Sequence, residues 1–514
     1  MKQYHLFKYA NEKSLAEINS SIRVPRHGNF FKMILAYLGP GALVAVGYMD
    51  PGNWATSING GQSFQYLLIS TILISSLMAM LLQNLSAKLG IVTQMDLSQA
   101  IRLHTDKYLS VILWVIAELA IMATDIAEVI GAAVALNLLF HIPLVWATFI
   151  TVLDVLLLLF MSKIGFRKIE ILVCCLILVI LCVFTYEVVL ANPDWSAIGW
   201  GLLPSSKIMA KSPVVGGLSP LSGSLGIIGA TVMPHNFYLH SGICQVRKVD
   251  YSNKENIKEA VHFTEWDSNI QLTIAFIINS LLLIMGAAVF KNGSVRDSSF
   301  FGLYDALGNT TVLNSPLLMH IAKTGTLSTL FAVALLASGQ NSTITGTLTG
   351  QLVMEGFIHL KMPLWARRLL TRLVSIVPVL ICVSITANDS VTVQHSAINM
   401  LMQNSQIFLA FAVPFTIIPL LILTDSHELM GEFVNNRFIS VIGWTSSLIL
   451  VFLNLYNLPA TFVDLKIVSP KIAEAIAYII IIVIFSLLIW TCAEMLEINF
   501  KKVSHYLKRS IKIM

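Results

Sequence analysis

The sequence is poor in charged residues. Only 12% of its 514 residues are Asp, Glu, Lys or Arg, whereas 56% are hydrophobic. Soluble domains carry roughly a quarter charged residues, so this composition indicates an integral membrane protein. The net charge of +5 does not indicate nucleic-acid binding, because the basic residues lie in loops between apolar segments.

Several other signatures are missing. The six cysteines show no paired extracellular framework and no C-x-x-C metal spacing. No phosphate-binding loop of the G-x-x-x-x-G-K-S/T kind occurs, so we expect an ionic driving force rather than ATP. The H-E-x-x-H pattern of a metalloprotease is also missing, which counts against a membrane-embedded metalloenzyme. We therefore expect neither an enzyme nor a bound cofactor.

Long apolar stretches fill most of the chain. A helix needs about 20 residues to cross a bilayer, and about twelve stretches are candidates. They lie near 33–62, 66–90, 110–138, 143–161, 169–191, 224–244, 268–290, 324–354, 369–387, 399–424, 438–456 and 474–496. We predict an all-α, multi-pass protein of the cell membrane that is embedded in the lipid bilayer.

The two ends of the chain are predicted to be tails outside the membrane, 1–32 and 497–514. The first has no apolar core typical of a cleaved signal peptide. Lysine and arginine are enriched in both tails and in the loops predicted on the same side, with fewer in the opposite loops. By the positive-inside rule, both termini are expected in the cytoplasm, which agrees with an even number of spans.

Two short motifs interrupt apolar segments, Asp50-Pro51-Gly52-Asn53 in the first span and Met233-Pro234-His235-Asn236 in the sixth. Proline removes a backbone donor and clashes with the preceding helical turn. In hydrocarbon, such a break survives only where it lines a buried cavity or site. The two motifs therefore predict discontinuous helices 1 and 6 that share one binding site.

The spacing of the two breaks indicates an internal repeat. Spans one to five (33–191) and six to ten (224–424) correspond, and two further spans (438–496) follow. Because five is odd, the second half enters the membrane from the opposite side, so the repeats are inverted. Interrupted helices at matching positions of two halves point to a midplane site in secondary transporters.

The ligand types at the breaks favour a transition metal. Asp50 and Asn53 offer hard oxygen atoms, and the thioether of Met233 is a soft ligand that favours transition metals over Mg²⁺. Unwinding of the helices would also free main-chain carbonyls near Gly47 and Ala230. Hard and soft ligands together suit Mn²⁺ and Fe²⁺.

Two histidines follow the second break. His235 and His240 lie about 140° apart on a helix, which argues against a chelating pair. We assign His235 to proton handling or structural support, because histidine titrates near neutrality. His240 either lines an inner vestibule or makes a simple hydrogen bond.

The third span carries three acids on one helix face: Glu118, Asp125 and Glu128. Acids inside a membrane typically mark ion or proton pathways. The alternative is a structural network with arginines, for which the candidates are at the start of the ninth span: Arg367, Arg368 and Arg372.

These motifs together resemble the Nramp family of proton-coupled divalent-metal transporters. The resemblance rests on the two break motifs, on 123–128 (ATDIAE), on 238–241 (YLHS) and on 339–357, and it runs from about residue 38 to 423. It implies a LeuT-like fold of ten core helices in two inverted repeats. It also implies metal ligands at Asp50, Asn53, Met233 and the Gly47 and Ala230 carbonyls.

The same resemblance implies a proton pathway through Asp50, Asp125, Glu128 and His235. One position departs from the family pattern. Many members carry a glutamine two residues before the Leu-Pro-Phe of the tenth span, where this chain has Ala412. A metal contact from the tenth span is therefore in doubt, although Gln406 is nearby in sequence.

We predict a proton-coupled importer of Mn²⁺ and Fe²⁺ that works by alternating access. The short tails resemble those of a bacterial member, which would import manganese. The alternative is an organic-solute symporter, such as a proton- or sodium-coupled amino-acid carrier on the same fold. Asp50 counts against it, because a carboxylate repels the carboxylate of such a substrate.

Overall fold

The architecture is that of a computed structural model. The structure describes residues 8–9, 14–15, 17–25, 28–156, 165–215, 218–289, 299–308, 325–464 and 469–511. The end of the predicted fourth span, 157–161, lies outside the described residues.

The first half of the chain forms nine helices in the described residues. They are α1 (Phe30–Tyr37), α2 (Pro40–Val46), α3 (Pro51–Phe64), α4 (Ile69–Thr93), α5 (Leu97–Leu103), α6 (Lys107–Phe140), α7 (Leu144–Ile150), α8 (Phe166–Ala191) and α9 (Trp195–Gly201).

The second half contributes eleven more helices among the described residues. They are α10 (Pro220–Thr231), α11 (Pro234–Ile243), α12 (Lys254–Val289), α13 (Phe300–Gly308), α14 (Thr326–Ile358), α15 (Leu364–Ile385), α16 (Val391–Ala412), α17 (Pro414–Thr424), α18 (His427–Met430), α19 (Arg437–Asp464) and α20 (Pro470–Ile511).

Both predicted helix breaks are present. The first span stops at Val46 and resumes at Pro51, and the sixth stops at Thr231 and resumes at Pro234. Each proline is the first residue of its new helix, where its missing N–H would have no helical partner anyway. The discontinuous helices 1 and 6 are therefore confirmed.

Eight helices of the described residues are long and apolar enough to cross a membrane. The prediction of about twelve spans differs from this number for local reasons. The first and sixth spans are split into short helices, the described part of the fourth is short, and the eighth, α14, carries many hydroxyl and amide side chains. The chain is a multi-pass membrane protein.

Two further breaks were not predicted. In the first span, α1 and α2 are separated at Gly39, whose φ of +145° favours glycine. A Cβ atom there would lie 2.6 Å from a carboxylate oxygen of Glu170. In the tenth span, helical hydrogen bonding is interrupted between α16 and Pro414, the first residue of α17, although Val413 between them keeps helical angles (φ −53°, ψ −49°).

The ends of α1 and α2 are held by polar contacts. Nη2 of Arg247 donates to the carbonyls of Tyr37 and Leu38 at 3.1 and 2.9 Å. The carboxylate of Asp267, on α12, accepts the N–H of Gly41 at 2.7 Å. These contacts satisfy carbonyls at the end of α1 and N–H groups at the start of α2 that lack helical partners.

The second part of the first span, α3, packs directly on the main chain of α12. A Cβ atom at Gly286 would lie 2.5 Å from the carbonyl oxygen of Ile58, and one at Gly61 would lie 2.9 Å from the nitrogen of Ala287. Glycines at these two positions allow the helices to touch without intervening side chains.

Short strands attach the N-terminal tail to the helical body. Lys8–Tyr9 pairs antiparallel with Leu360–Lys361, and Ile22–Arg23 pairs in parallel with Arg247–Lys248. The partner strands directly follow α14 and the helical turn after α11, so the tail crosses the end of the molecule where the eighth and sixth spans finish.

Candidate metal site

The first break presents Asp50 and Asn53 in a buried position. Asp50 is fully buried and caps α3, with Oδ1 accepting the N–H of Asn53 at 2.8 Å. Nδ2 of Asn53 donates to the carbonyl of Gly47 at 3.3 Å. These bonds leave Oδ2 of Asp50 and Oδ1 of Asn53 without hydrogen-bond partners among the described residues.

The second break presents Met233, which is also fully buried. Its side chain packs with Ala120 of α6 and with Leu409 and Ala412 of α16. Ala230 lies in the last turn of α10, where carbonyl groups have no partner within the helix. Ala412, the position that departs from the family pattern, therefore lies beside the thioether.

The two breaks meet directly. A Cβ atom at Gly47 would lie 2.7 Å from Cγ of Asn236, so the amide of the second motif covers the main chain of the first. Both amide atoms of Asn236 are buried and have no hydrogen-bond partner among the described residues.

The tenth span also reaches the site. A Cβ atom at Gly52 would lie 2.7 Å from Cδ of Gln406, which places this amide against the first break. Oε1 of Gln406 has no partner within the described part of the chain. The sequence left a tenth-span metal contact in doubt because Ala412 stands where many family members carry a glutamine. The amide that reaches the first break belongs to Gln406, which the sequence indicated only as nearby.

The meeting point of the breaks is rich in unpartnered polar atoms. Buried atoms without a hydrogen bond among the described residues include Asp50 Oδ2, Asn53 Oδ1, His235 Nδ1, Asn236 Oδ1 and Nδ2, and Gln406 Oε1. Buried polar groups are normally satisfied, so such a concentration needs a ligand, ion or water. The described residues contain no group of three His, Cys, Asp or Glu side chains suited to a metal. A cation here would therefore depend mainly on neutral ligands beside one carboxylate.

The three acids of α6 are paired with arginines of α15. Nη2 of Arg367 donates to both carboxylate oxygens of Glu118 at 2.7 and 2.8 Å. Arg368 contacts Asp125 through Nη1 and Glu128 through Nη2, the latter at 3.2 Å. The acids therefore share one inward face, as their spacing predicted, and the arginine network that we considered as an alternative is present.

Asp154 is a fourth acid that the sequence analysis missed. It accepts from Arg368 Nη2 at 3.0 Å and from Arg372 Nε at 2.9 Å. The signal was available, because Asp154 is an acid in an otherwise apolar span. In the group formed by Asp125, Glu128 and Asp154, three carboxylates face only two guanidinium groups.

Helix α14 connects this network to the first break. Thr343 Oγ1 lies 2.8 Å from Arg368 Nη2 and 3.2 Å from Asp154 Oδ2. Five residues earlier, Ser338 Oγ donates to the carbonyl of Met49 at 2.6 Å. One helix therefore touches both the breaks and the acid–arginine network.

The two histidines differ in their surroundings. His235 is 4% exposed, and its Nδ1 has no partner among the described residues. His240 is fully buried, with Nδ1 3.0 Å from Oε1 of Gln83. That contact matches the hydrogen-bonding alternative for His240, and its place in an inner vestibule stays a prediction.

A mostly helical membrane protein with two broken spans meeting at a buried polar site is a secondary transporter rather than an enzyme. Residues 41–460 match the family described as natural resistance-associated macrophage protein-like, Nramp. The chain belongs to the Nramp family, as its motifs indicated.

Curated relatives agree with this assignment. The chain is 52% identical over 446 residues to the divalent metal cation transporter MntH of Pediococcus pentosaceus, covering 87% of this chain and 96% of that protein. It is also 52% identical over 465 residues to MntH of Lacticaseibacillus casei, covering 90% and 97%.

Solved structures confirm the fold. A crystal structure of a mutant of the Eremococcus coleocola manganese transporter matches with a TM-score of 0.91 and 57% identity, covering 95% of this chain and all of that one. A closed conformation of Mhp1, a nucleobase-cation-symport transporter, matches at 14% identity with a TM-score of 0.52, covering 90% and 99%. The second likeness shows the fold alone and confirms the LeuT-like arrangement of inverted repeats.

Proposed function

We propose that this protein imports Mn²⁺ and Fe²⁺ across the cell membrane, coupled to protons, by alternating access. The observation that carries the proposal is the group of buried, unpartnered ligand atoms where the two breaks meet. Asp50, Asn53, Met233 and the carbonyls of Gly47 and Ala230 are the proposed metal ligands. The relatives named as divalent metal or manganese transporters support the same substrate class.

The ligand chemistry supports a transition metal over Mg²⁺. Asp50 supplies one negative charge and hard oxygen atoms, and Asn53 supplies a neutral oxygen. Met233 adds a polarisable sulfur, which Mg²⁺ binds poorly. An organic-solute symporter is not favoured, because a substrate carboxylate would meet the carboxylate of Asp50.

Protons would move through the acids around the site. The proposed pathway comprises Asp50, His235, Asp125, Glu128 and Glu118, with Arg367 and Arg368 as the paired cations. Its support is the surplus of carboxylates over arginines in the group of Asp125, Glu128 and Asp154. Uptake of one proton there balances the charge of that group.

The transport cycle would rock inward the bundle that contains the first and sixth spans, one from each of the two repeats, 33–191 and 224–424. Both termini would face the cytoplasm, because basic residues are enriched in both tails. Metal would then enter at the outer side of the breaks and leave on the side where the N-terminal tail lies.

The experiment is Mn²⁺ uptake into proteoliposomes with an inward proton gradient and excess external Mg²⁺, comparing wild type with Met233→Ala. Wild type is expected to take up Mn²⁺ despite Mg²⁺ and to acidify the lumen, followed with an entrapped pH dye. Met233→Ala should still transport Mn²⁺ but become inhibited by Mg²⁺, because the soft ligand is lost.

The matched control is Met285→Ala, which also truncates a fully buried methionine. It lies in α12 away from the breaks, so it should lose stability without losing the preference for Mn²⁺. If correctly reconstituted wild-type protein moves no Mn²⁺, the metal assignment fails. If Mn²⁺ enters without acidification, only proton coupling fails.

A further inference from the structure

Helix α14 turns two different faces to its neighbours. Ser338 bonds to the carbonyl of Met49 in the first break, whereas Thr343 bonds to Arg368 in the acid–arginine network. At 100° per residue, these two positions lie about 140° apart. Side chains near the direction of Ser338 therefore face the breaks, and those near Thr343 face the network.

Asn341 belongs to the face directed at the breaks. Three residues after Ser338, it lies about 60° from it around the helix. It also lies within about 20° of Leu352, eleven residues further on. Leu352 packs on α11, because its Cγ would be 3.2 Å from a Cβ atom at Gly242. Asn341 thus projects between the first break and α11.

The height of Asn341 along α14 agrees with this direction. It is about 4.5 Å along the helix from Ser338, which touches the carbonyl of Met49. The sixth and eighth spans cross the membrane in the same direction, since one span lies between them. Leu352 lies about 16.5 Å further along α14 than Asn341, and Gly242 lies about 12 Å along α11 from its start at Pro234. Because Leu352 contacts Gly242, Asn341 lies near the level of the second break, just before Pro234.

The side chain of Asn341 has no partner of its own. It is 1% exposed, and neither Oδ1 nor Nδ2 has a hydrogen bond among the described residues. Leaving a buried polar atom unsatisfied destabilises the folded protein. Because this carboxamide is buried, unpartnered and level with both breaks, we expect a ligand that satisfies it.

We propose that Asn341 is a further positioning residue of the metal site and holds a water molecule bound to the transported ion. This inference rests on the proposed function. Mn²⁺ suits an octahedral site, and the five proposed protein ligands leave one position for water. Oδ1 of Asn341 can accept a hydrogen bond from that water. Gln406 contacts a different part of the first break, at Gly52, so it is not the amide proposed to hold this water.

The test is a Mn²⁺ binding titration on purified protein in detergent, comparing wild type with Asn341→Leu and Asn341→Ser. Asn341→Leu is expected to lower Mn²⁺ affinity about tenfold, the lower end of the range for groups that orient metal ligands. The thermal unfolding temperature of the metal-free protein should stay equal or rise, because two unsatisfied atoms disappear. Asn341→Ser should retain part of the affinity through its hydroxyl.

The matched control is Gln340→Leu, which removes an amide from the adjacent position. Gln340 is half-buried and lies about 200° from Ser338, on the opposite side of the helix. Its Mn²⁺ affinity should equal that of wild type.

Opposite effects on stability and affinity separate a ligand-binding role from a structural one. Wild-type affinity in Asn341→Leu would overturn the inference. Lower unfolding temperatures in both Asn341 variants would also overturn it, since the amide would then be stabilising the fold. If Asn341→Leu does not fold, the affinity and unfolding temperature of Asn341→Ser decide in the same way. If wild type itself binds no Mn²⁺, the proposed function falls, and this inference falls with it.

Discussion

Replacing Arg368 by glutamine should destabilise the protein strongly. The guanidinium group is 1% exposed and contacts Asp125, Glu128 and Asp154. Glutamine removes the positive charge, so Arg372 alone would face three carboxylates. Removing one member of a buried ion pair costs about 3–5 kcal/mol. That corresponds to a drop of about 150- to 5,000-fold in the ratio of folded to unfolded protein.

The assay is the fraction of protein that remains monodisperse after heating in detergent, measured by size-exclusion chromatography. Lys254→Gln is the matched control, because Lys254 pairs with Glu432 at 2.6 Å with both side chains more than half exposed. Exposed pairs contribute little, so this variant should unfold at the wild-type temperature.

A second substitution tests the cause of the loss. Adding Asp154→Asn to Arg368→Gln removes one uncompensated carboxylate, so the double variant should be more stable than Arg368→Gln alone. The reasoning is refuted if Arg368→Gln loses no thermal stability. It is also refuted if Asp154→Asn adds its own destabilisation in that background, because stranded charge would then not be the cause.

Two other predictions concern packing and pH. Gly286→Ala should lower the free energy of unfolding by about 1–3 kcal/mol, because the new methyl group would press on the carbonyl of Ile58. A thermal unfolding experiment measures this, and an unchanged unfolding temperature would contradict it. Burial raises the pKa of the Asp96 carboxyl, which caps α5 by accepting the N–H of Gln99 at 2.9 Å. The folded state therefore holds that proton more tightly than the unfolded state. Wild type should lose stability as the pH rises from the ordinary aspartate pKa of about 4 in the unfolded state to the raised pKa in the folded state. Asp96→Asn retains a cap and should lack this loss, so its stability relative to wild type should increase with pH; a constant difference would contradict the assignment.

The sequence predicted the parts of the fold that depend on local chemistry. Pro51 and Pro234 cannot continue a helix, so both breaks were visible as motifs. The shared face of Glu118, Asp125 and Glu128 followed from helical spacing alone. The break at Pro414 was missed, because its flanking residues are apolar and gave no polar motif to mark it.

Contacts between distant helices could not be predicted in the same way. Gln406 reaches the first break at Gly52, and nothing in its own segment indicates that neighbour. Asp154 was overlooked as a lone acid, although its bonds to Arg368 and Arg372 make it central to the network. Which acid pairs with which arginine depends on how α6, α15 and the segment after α7 that carries Asp154 pack together, which sequence periodicity does not determine.

Both parts of the first span touch the main chain of α12. A Cβ atom at Gly41 of α2 would lie 2.8 Å from the carbonyl oxygen of Asp267, and Gly61 and Gly286 make the same kind of close contact between α3 and α12. The start of α2 is held in addition by hydrogen bonds from Gly39 and Gly41 to the carboxylate of Asp267. Neither part can leave α12 unless the backbones of two helices move apart, and the α2 end must also exchange its bonds to Asp267 for bonds to water.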